Sequence, residues 1–251
     1  MQYSGCEFLP IFGRRLGQKR RKNWADYYLS KAEEQLLQDV LMHFGKVIVV
    51  LNTGGMVDTA RFKDDSRIKG VLYALQGGMC GGLAEADILC GDVCPSGRLT
   101  DILAADFYDF PSSEGFNESG DYVNYTEDIF VGYRYFETVA NAYKKVNYPF
   151  RFGLSYTDFT IKCKSAVEKD GVITVAAEVL NIGSISGKEV VQLYTSSPYG
   201  RLCKPARELK AFAKTYELRQ GETQTVILSF AVKDMASYDE ECAAYILEKG
   251  V

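Results

Sequence analysis

The apolar positions of the first hundred residues predict alternating helices and strands. Ser30 begins a helix, because Ser30 and Glu33 have the spacing of a capping box. A stripe of apolar residues at helical spacing follows: Leu36, Leu37, Val40, Leu41 and Phe44. Gly45 ends this helix. Two continuous apolar runs, Val47–Leu51 and Val71–Leu75, then predict buried strands of a parallel sheet.

A glycine-rich stretch follows the second apolar run. The glycines between residues 77 and 82 predict a loop, Leu83–Cys90 predicts a helix, and Gly91 is placed to end that helix. Pro95-Ser96-Gly97 is typical of a turn. A strand, a loop at its carboxyl end and a helix form the unit that builds ligand crevices in open α/β sheets.

The pattern changes after residue 153. Three short runs, Val172–Val179, Glu189–Tyr194 and Thr223–Phe230, predict strands, and turn signals at Asn181–Gly183 and Arg219–Glu222 separate them. Short strands at regular spacing predict a β-sandwich. Residues 100–150 lie between the two patterns and read as a long connection that is polar and rich in turn residues.

Composition and charge narrow the class of protein. The 251 residues are 47% hydrophobic and 25% charged, with a net charge of -4. These values are typical of a folded protein and argue against a general nucleic-acid binder. No apolar run approaches the roughly 20 residues of a membrane span. The N-terminus lacks a basic region followed by an apolar core, and the seven cysteines are scattered, so we expect reduced thiols and a cytoplasmic protein.

Two cofactor hypotheses are weak on spacing alone. Cys90 and Cys94 could share a metal, but no second cysteine pair lies near them and His43 is the only histidine. His43 lies beside the apolar stripe and is expected at the surface of its helix. A dinucleotide fold is disfavoured because no GxGxxG motif follows Val47–Leu51. The prediction is therefore no cofactor and no metal.

Several strings resemble glycoside hydrolase family 3, the β-glucosidase family. Val47–Asp58 is similar to "VVVLN-x-GG-x-VD", and Gly77–Leu99 contains "ADxLxGDxxPSGRL". Pro149–Thr157 is similar to "PFGxGLSYT", and Gly187–Tyr194 together with Pro205–Phe212 resembles the family's fibronectin-III-like domain. The resemblance covers roughly residues 13 to 251.

The resemblance implies an α/β parallel-sheet domain, a partial α/β sandwich, followed by an all-β fibronectin-III/immunoglobulin-like sandwich. The predicted domains are a partial α/β sandwich at 1–110, a connecting segment at 111–152 and a fibronectin type III-like sandwich at 153–251. The family's TIM barrel, with its "SDW"-like nucleophile motif, has no counterpart in this sequence. Asn124–Phe136 is similar to "YxEGIFVGYRYF", and its aromatic residues are expected either to stack on sugar rings or to pin the connection.

The resemblance also suggests site residues near the N-terminus. Residues 13–30 are similar to the loop that carries the family's general acid/base, with Asp26-Tyr27-Tyr28-Leu29-Ser30 as the anchor. Gln18 occupies the acid/base position, and Arg21 and Asp26 are the expected substrate-binding residues. A glutamine amide cannot act as a general acid or base near neutral pH, whereas a carboxyl group can. The basic run at 14–22 alternatively reads as a solvated loop or an anion-binding patch.

Two functions follow from the resemblance. The first is a portion of a β-glucosidase-type hydrolase whose partner, a β-glucoside or oligosaccharide, is bound through a missing barrel domain. The second is a non-catalytic remnant or accessory module that scaffolds or binds sugar. Retaining hydrolysis needs two carboxyl groups about 5 Å apart. The absent nucleophile and Gln18 predict that the chain alone is inactive.

Overall fold

The computed structural model describes residues 27–115, 119–198 and 200–249, together with the backbone of 7–11. The chain divides into two compact units that are interleaved along the sequence. Unit 1 comprises Met1–Val93, Asp101–Glu127 and Lys144–Phe150. Unit 2 comprises Cys94–Thr100, Asp128–Tyr143 and Arg151–Val251. The domain boundaries at 110 and 152 stay a prediction.

Unit 1 is built on a three-stranded parallel sheet in the order β1-β2-β3. The strands are β1 (Glu7–Ile11), β2 (Val47–Leu51) and β3 (Ile68–Tyr73). Helix α1 (Lys31–His43) precedes β2, and the short helix α2 (Ala60–Lys63) precedes β3. Alternating strands and helices are thus confirmed, whereas sequence reasoning missed β1.

Helix α1 confirms its predicted start. Glu33 N–H donates to Ser30 Oγ, and Ser30 N–H donates to the Glu33 carboxylate at 2.7 Å, which completes the capping box. The apolar stripe is narrower than predicted. Leu37 and Leu41 are buried in the core, whereas Leu36 and Phe44 are 47% and 40% exposed.

Strand β2 is the centre of the unit 1 core. All five of its residues are buried, and Val47, Val49 and Leu51 pack with the buried residues of α1 and with Phe62 of α2. Strand β3 is different, because it lies at an edge of the sheet. Val71 is 39% exposed and Leu75 lies beyond the strand at 48%, so the prediction of a second fully buried strand is wrong.

The glycine-rich stretch contains the predicted helix, which begins at Gly81 rather than Leu83, whereas Pro95–Gly97 do not form the predicted turn. Helix α3 (Gly81–Cys90) ends at Gly91, which adopts the left-handed conformation with φ of 86° and donates its N–H to α3 carbonyls. The long connection carries short elements of its own. Strand β4 (Leu103–Ala104) pairs with β5 (Val146–Tyr148) in unit 1, and helix α4 (Tyr133–Thr138) belongs to unit 2.

Unit 2 is mainly antiparallel β-structure. Its first sheet has the order β10-β7-β6, formed by β6 (Phe159–Lys169), β7 (Val172–Asn181) and β10 (Thr223–Ala231). A second sheet pairs β8 (Val190–Thr195) with β9 (Glu208–Lys214). A further pair joins β11 (Ser237–Asp239) to β12 (Ala244–Ile246). The sequence patterns found β7, β8 and β10 and did not predict β6, β9, β11 or β12.

One hydrophobic cluster joins the two larger sheets of unit 2. Val179, Val191, Leu218 and Leu228 are among its buried members, and residues of β9 pack against them. Alternating residues of β7 and β10 point into this cluster, which is the pattern of a sheet with one face covered. Within the ranges described, none of the helices combines the length and apolar character needed to cross a membrane.

Candidate functional site

The candidate site is the carboxyl edge of the parallel sheet in unit 1. Strands β1, β2 and β3 run in the same direction and end at Ile11, Leu51 and Tyr73. The loops after β2 and β3 therefore leave the sheet at one common edge. Ligands of open α/β sheets bind at this edge, because the loops there can form a crevice without disturbing the strands.

The loops after β2 and β3 are interlocked. Thr53 Oγ1 donates to the Gly55 carbonyl at 2.8 Å, and the Tyr73 hydroxyl donates to the same carbonyl. A Cβ at Gly54 would lie 2.9 Å from Gln76 Nε2, so only glycine fits there without moving the amide. These contacts give the two loops one defined arrangement.

Asp58 ties a third segment to this edge. Its carboxylate accepts the Ala60 N–H at 2.8 Å, at the start of α2, and its own N–H donates to the Tyr27 carbonyl at 2.8 Å. Asp58 is 7% exposed. The aspartate of the "VD" string is therefore engaged in a turn and serves as a structural residue.

Tyr27 and Tyr28 form an aromatic group with Phe107. The Tyr27 ring meets the rings of Tyr28 and Phe107 edge-on, with centroids 5.1 and 5.4 Å away. Burial, followed by the charge of Asp58, raises the pKa of Tyr27. Burial and the neighbouring Asp106 raise the pKa of Tyr28. Both phenols therefore stay protonated at neutral pH and can act as hydrogen-bond donors.

Asp106 accepts a hydrogen bond from the Tyr28 hydroxyl and caps a 3₁₀ turn. The Tyr28 hydroxyl lies 3.4 Å from each carboxylate oxygen of Asp106, and Tyr108 N–H donates to Asp106 at 2.9 Å. Asp109 accepts the Asp106 N–H at 3.1 Å and pairs with Lys145 at 2.9 Å. The carboxylates of this turn are thus engaged in capping and ion pairing.

The predicted site residues Gln18, Arg21 and Asp26 lie outside the described residues. The described residues on either side of that segment are both held at the carboxyl edge. Ile11 pairs with Leu51 in the sheet register, and Tyr27 is bonded to Asp58. Sequence reasoning placed Tyr27 and Tyr28 in the anchor string but missed Asp106, whose signal is the cap spacing to Asp109.

The sequence offered three further candidates: His43, a metal site and the aromatic residues of Asn124–Phe136. His43 is exposed on α1, with its Nδ1 2.7 Å from the Asp39 carbonyl. Across residues 27–115, 119–198 and 200–249, no three His, Cys, Asp or Glu side chains converge as metal ligands. In unit 2 the Tyr133 hydroxyl accepts the Leu209 N–H at 2.8 Å and Phe136 is 1% exposed, so these two aromatic residues pack rather than present open ring faces.

Comparison with known proteins identifies the family. Residues 14–133 match the glycosyl hydrolase family 3 C-terminal domain, and residues 189–251 match the fibronectin type III-like domain. The chain belongs to glycosyl hydrolase family 3. The prediction made from the sequence strings is confirmed, and the carboxyl-edge loops lie within the first matched region.

Curated relatives support the same assignment. The chain is 51% identical over 244 residues to beta-glucosidase A of Butyrivibrio fibrisolvens, covering 90% of this chain and 29% of that protein. It is 42% identical over 232 residues to a beta-glucosidase of Ruminococcus albus, covering 92% of this chain and 24% of that protein. The chain therefore spans 24% to 29% of the length of these relatives.

Solved structures of beta-glucosidases support the same family assignment. A beta-glucosidase from Paenibacillus barengoltzii aligns with a TM-score of 0.81 and 45% identity over 85% of this chain and 24% of that one. Beta-glucosidase 3B from Thermotoga neapolitana, in complex with glucose, aligns with a TM-score of 0.83 and 36% identity over 94% of this chain and 33% of that one. The similarity extends over both units.

Proposed function

We propose that this chain is the barrel-free part of a β-glucosidase. In this proposal, hydrolysis of β-glucosides requires the barrel domain that supplies the nucleophile in the family. The observation that carries this proposal is the family match across both units, with relatives that are beta-glucosidases and three to four times longer. In finer detail, unit 1 corresponds to a partial α/β sandwich and unit 2 to a fibronectin-III/immunoglobulin-like sandwich.

The chemistry explains why a partner is needed. Retaining hydrolysis requires two carboxyl groups about 5 Å apart, one as nucleophile and one as acid/base. Three carboxylates described near the carboxyl edge are engaged otherwise: Asp58 and Asp106 accept backbone N–H groups, and Asp109 pairs with Lys145. The carboxyl edge instead holds the two described residues on either side of the segment, Ile11 and Tyr27.

Within that segment we assign roles by the family resemblance. Arg21 and Asp26 bind the sugar, and Gln18 stands where relatives carry the acid/base glutamate. An amide at that position can orient a glycosidic oxygen by donating a hydrogen bond, but it cannot protonate the leaving group. The reassembled enzyme is therefore slow on substrates whose leaving group needs a proton.

A second function rests on Gln18 itself. A chain without acid/base and nucleophile can serve as an accessory module that scaffolds or binds sugar. The two functions differ in turnover, because an accessory module remains inactive whatever polypeptide is added. We also propose a cytoplasmic location, for which the support is the set of free thiols at Cys80, Cys90, Cys94, Cys163, Cys203 and Cys242.

The test is hydrolysis of an aryl β-glucoside. The chain alone is expected to show no turnover above a mock preparation from cells lacking the gene. The chain is then mixed with B. fibrisolvens beta-glucosidase A from which the region aligned with this chain, 29% of that protein, has been removed. Turnover that needs both components supports the β-glucosidase proposal, and its absence despite a formed complex favours the accessory module.

The role of Gln18 is tested in the same mixture. Gln18→Glu restores a group that can transfer protons, and we expect it to raise kcat/KM, which reports the glycosylation step, by about 100-fold, the lower end of the range of general acid catalysis. A substrate with an activated leaving group, such as a dinitrophenyl glucoside, is expected to gain much less because it departs without a proton. An equal gain on both substrates, or none, would show that Gln18 is not at the acid/base position.

A further inference from the structure

We draw no further inference here: the strongest candidate, the pocket of unit 2 that Arg98 and Arg151 line together with residues of strands β6 and β8, carries nothing because it lies at an open side of the unit 2 core, where Ile161 of β6 is 49% exposed, and nothing in the described part of the chain shows what covers it.

Discussion

Arg98 and Glu189 form a largely buried ion pair in unit 2. Arg98 Nη2 lies 2.7 Å from both carboxylate oxygens of Glu189, and the two side chains are 15% and 13% exposed. Arg98 Nη1 also donates to the Gly153 carbonyl, and Glu189 accepts the Val190 N–H at 2.7 Å. The arginine of the "PSGRL" string thereby joins residues 94–100 to the start of β8.

Breaking this pair is expected to destabilise unit 2. Arg98→Ala leaves the Glu189 carboxylate buried without its cation, and the free energy of unfolding should fall by about 3 kcal/mol. The measurement is urea denaturation followed by far-UV circular dichroism. The control is Lys164→Ala, which breaks an exposed 3.0 Å pair with Glu178 and should cost less than about 1 kcal/mol. Equal losses in the two variants would contradict the prediction.

Asn181 is a second test of the unit 2 core. The side chain has no exposed surface, and its amide donates to the carbonyls of Ile185 and Leu218 at 2.8 Å each. Its oxygen accepts from Thr157 Oγ1 at 2.7 Å and from Gly183 N–H at 3.1 Å. All the hydrogen-bonding capacity of this buried amide is therefore used.

Asn181→Asp is expected to cost about 3 kcal/mol or more at neutral pH, because a buried carboxylate faces two carbonyls to which it cannot donate. The loss should shrink as the pH falls, since a protonated carboxyl can donate one hydrogen bond. Thr157→Val removes one donor only and should cost about 1 to 2 kcal/mol. Chemical denaturation at pH 7 and pH 4 measures both; a loss for Asn181→Asp that does not depend on pH would contradict this account.

Two glycines of unit 1 should respond in opposite directions to alanine. At Gly77 the new Cβ would lie 2.7 Å from the Gly81 Cα, so Gly77→Ala should lower stability by about 1 to 3 kcal/mol through steric strain. At Gly82, inside α3, a Cβ meets nothing within 4 Å, and Gly82→Ala should raise stability by up to about 1 kcal/mol. Thermal melts of the two variants measure the difference, and a stabilising Gly77→Ala would disprove the close approach.

Asp65 gives unit 1 an acid-sensitive contact. A hydrogen bond from the Arg67 side chain, followed by one from the Arg67 N–H, lowers the pKa of Asp65 to about 2. Because the pKa is lower in the folded state, the contact stabilises the fold above the ordinary aspartate pKa, near 3.8. The stabilisation is lost as the pH falls through about 2.

Asp65→Asn should therefore flatten the dependence of the denaturation midpoint on pH between 4 and 2, while the midpoint at pH 7 moves only slightly because the pair is partly exposed. The control is Glu217→Gln, on an exposed side chain of unit 2. A flattening of the same size in the control would assign the acid sensitivity to overall charge.

Local signals predicted those elements whose cause is local. The capping box of Ser30 and Glu33 begins α1, and Gly91 ends α3, because both depend on residues within one turn. The alternation of apolar and polar residues in β7 and β10 likewise predicted these two strands from the sequence. Strand β6 was missed because most of its residues are exposed, so its sequence lacks the alternation of a strand with one buried face.

The candidate site was predictable only in its location. The loops after β2 and β3 follow from apolar runs that end in glycine, but the meeting of Tyr28 with Asp106, 78 residues away, could not be read from spacing. The structural roles of Asp58 and Asp106 could not be predicted from the sequence either, because an aspartate has the same side chain whether it caps a turn or faces a substrate.

The amino-acid sequence by itself determined the family, the two types of sheet, the start of α1 and the end of α3, because these depend on periodicity, turn chemistry and characteristic strings. Tertiary structure alone decided which apolar residues are covered. Leu37 and Leu41 reach the core, whereas Leu36 and Phe44 do not. Burial depends on what packs against a residue from elsewhere in the chain, and periodicity within one segment carries no information about that partner.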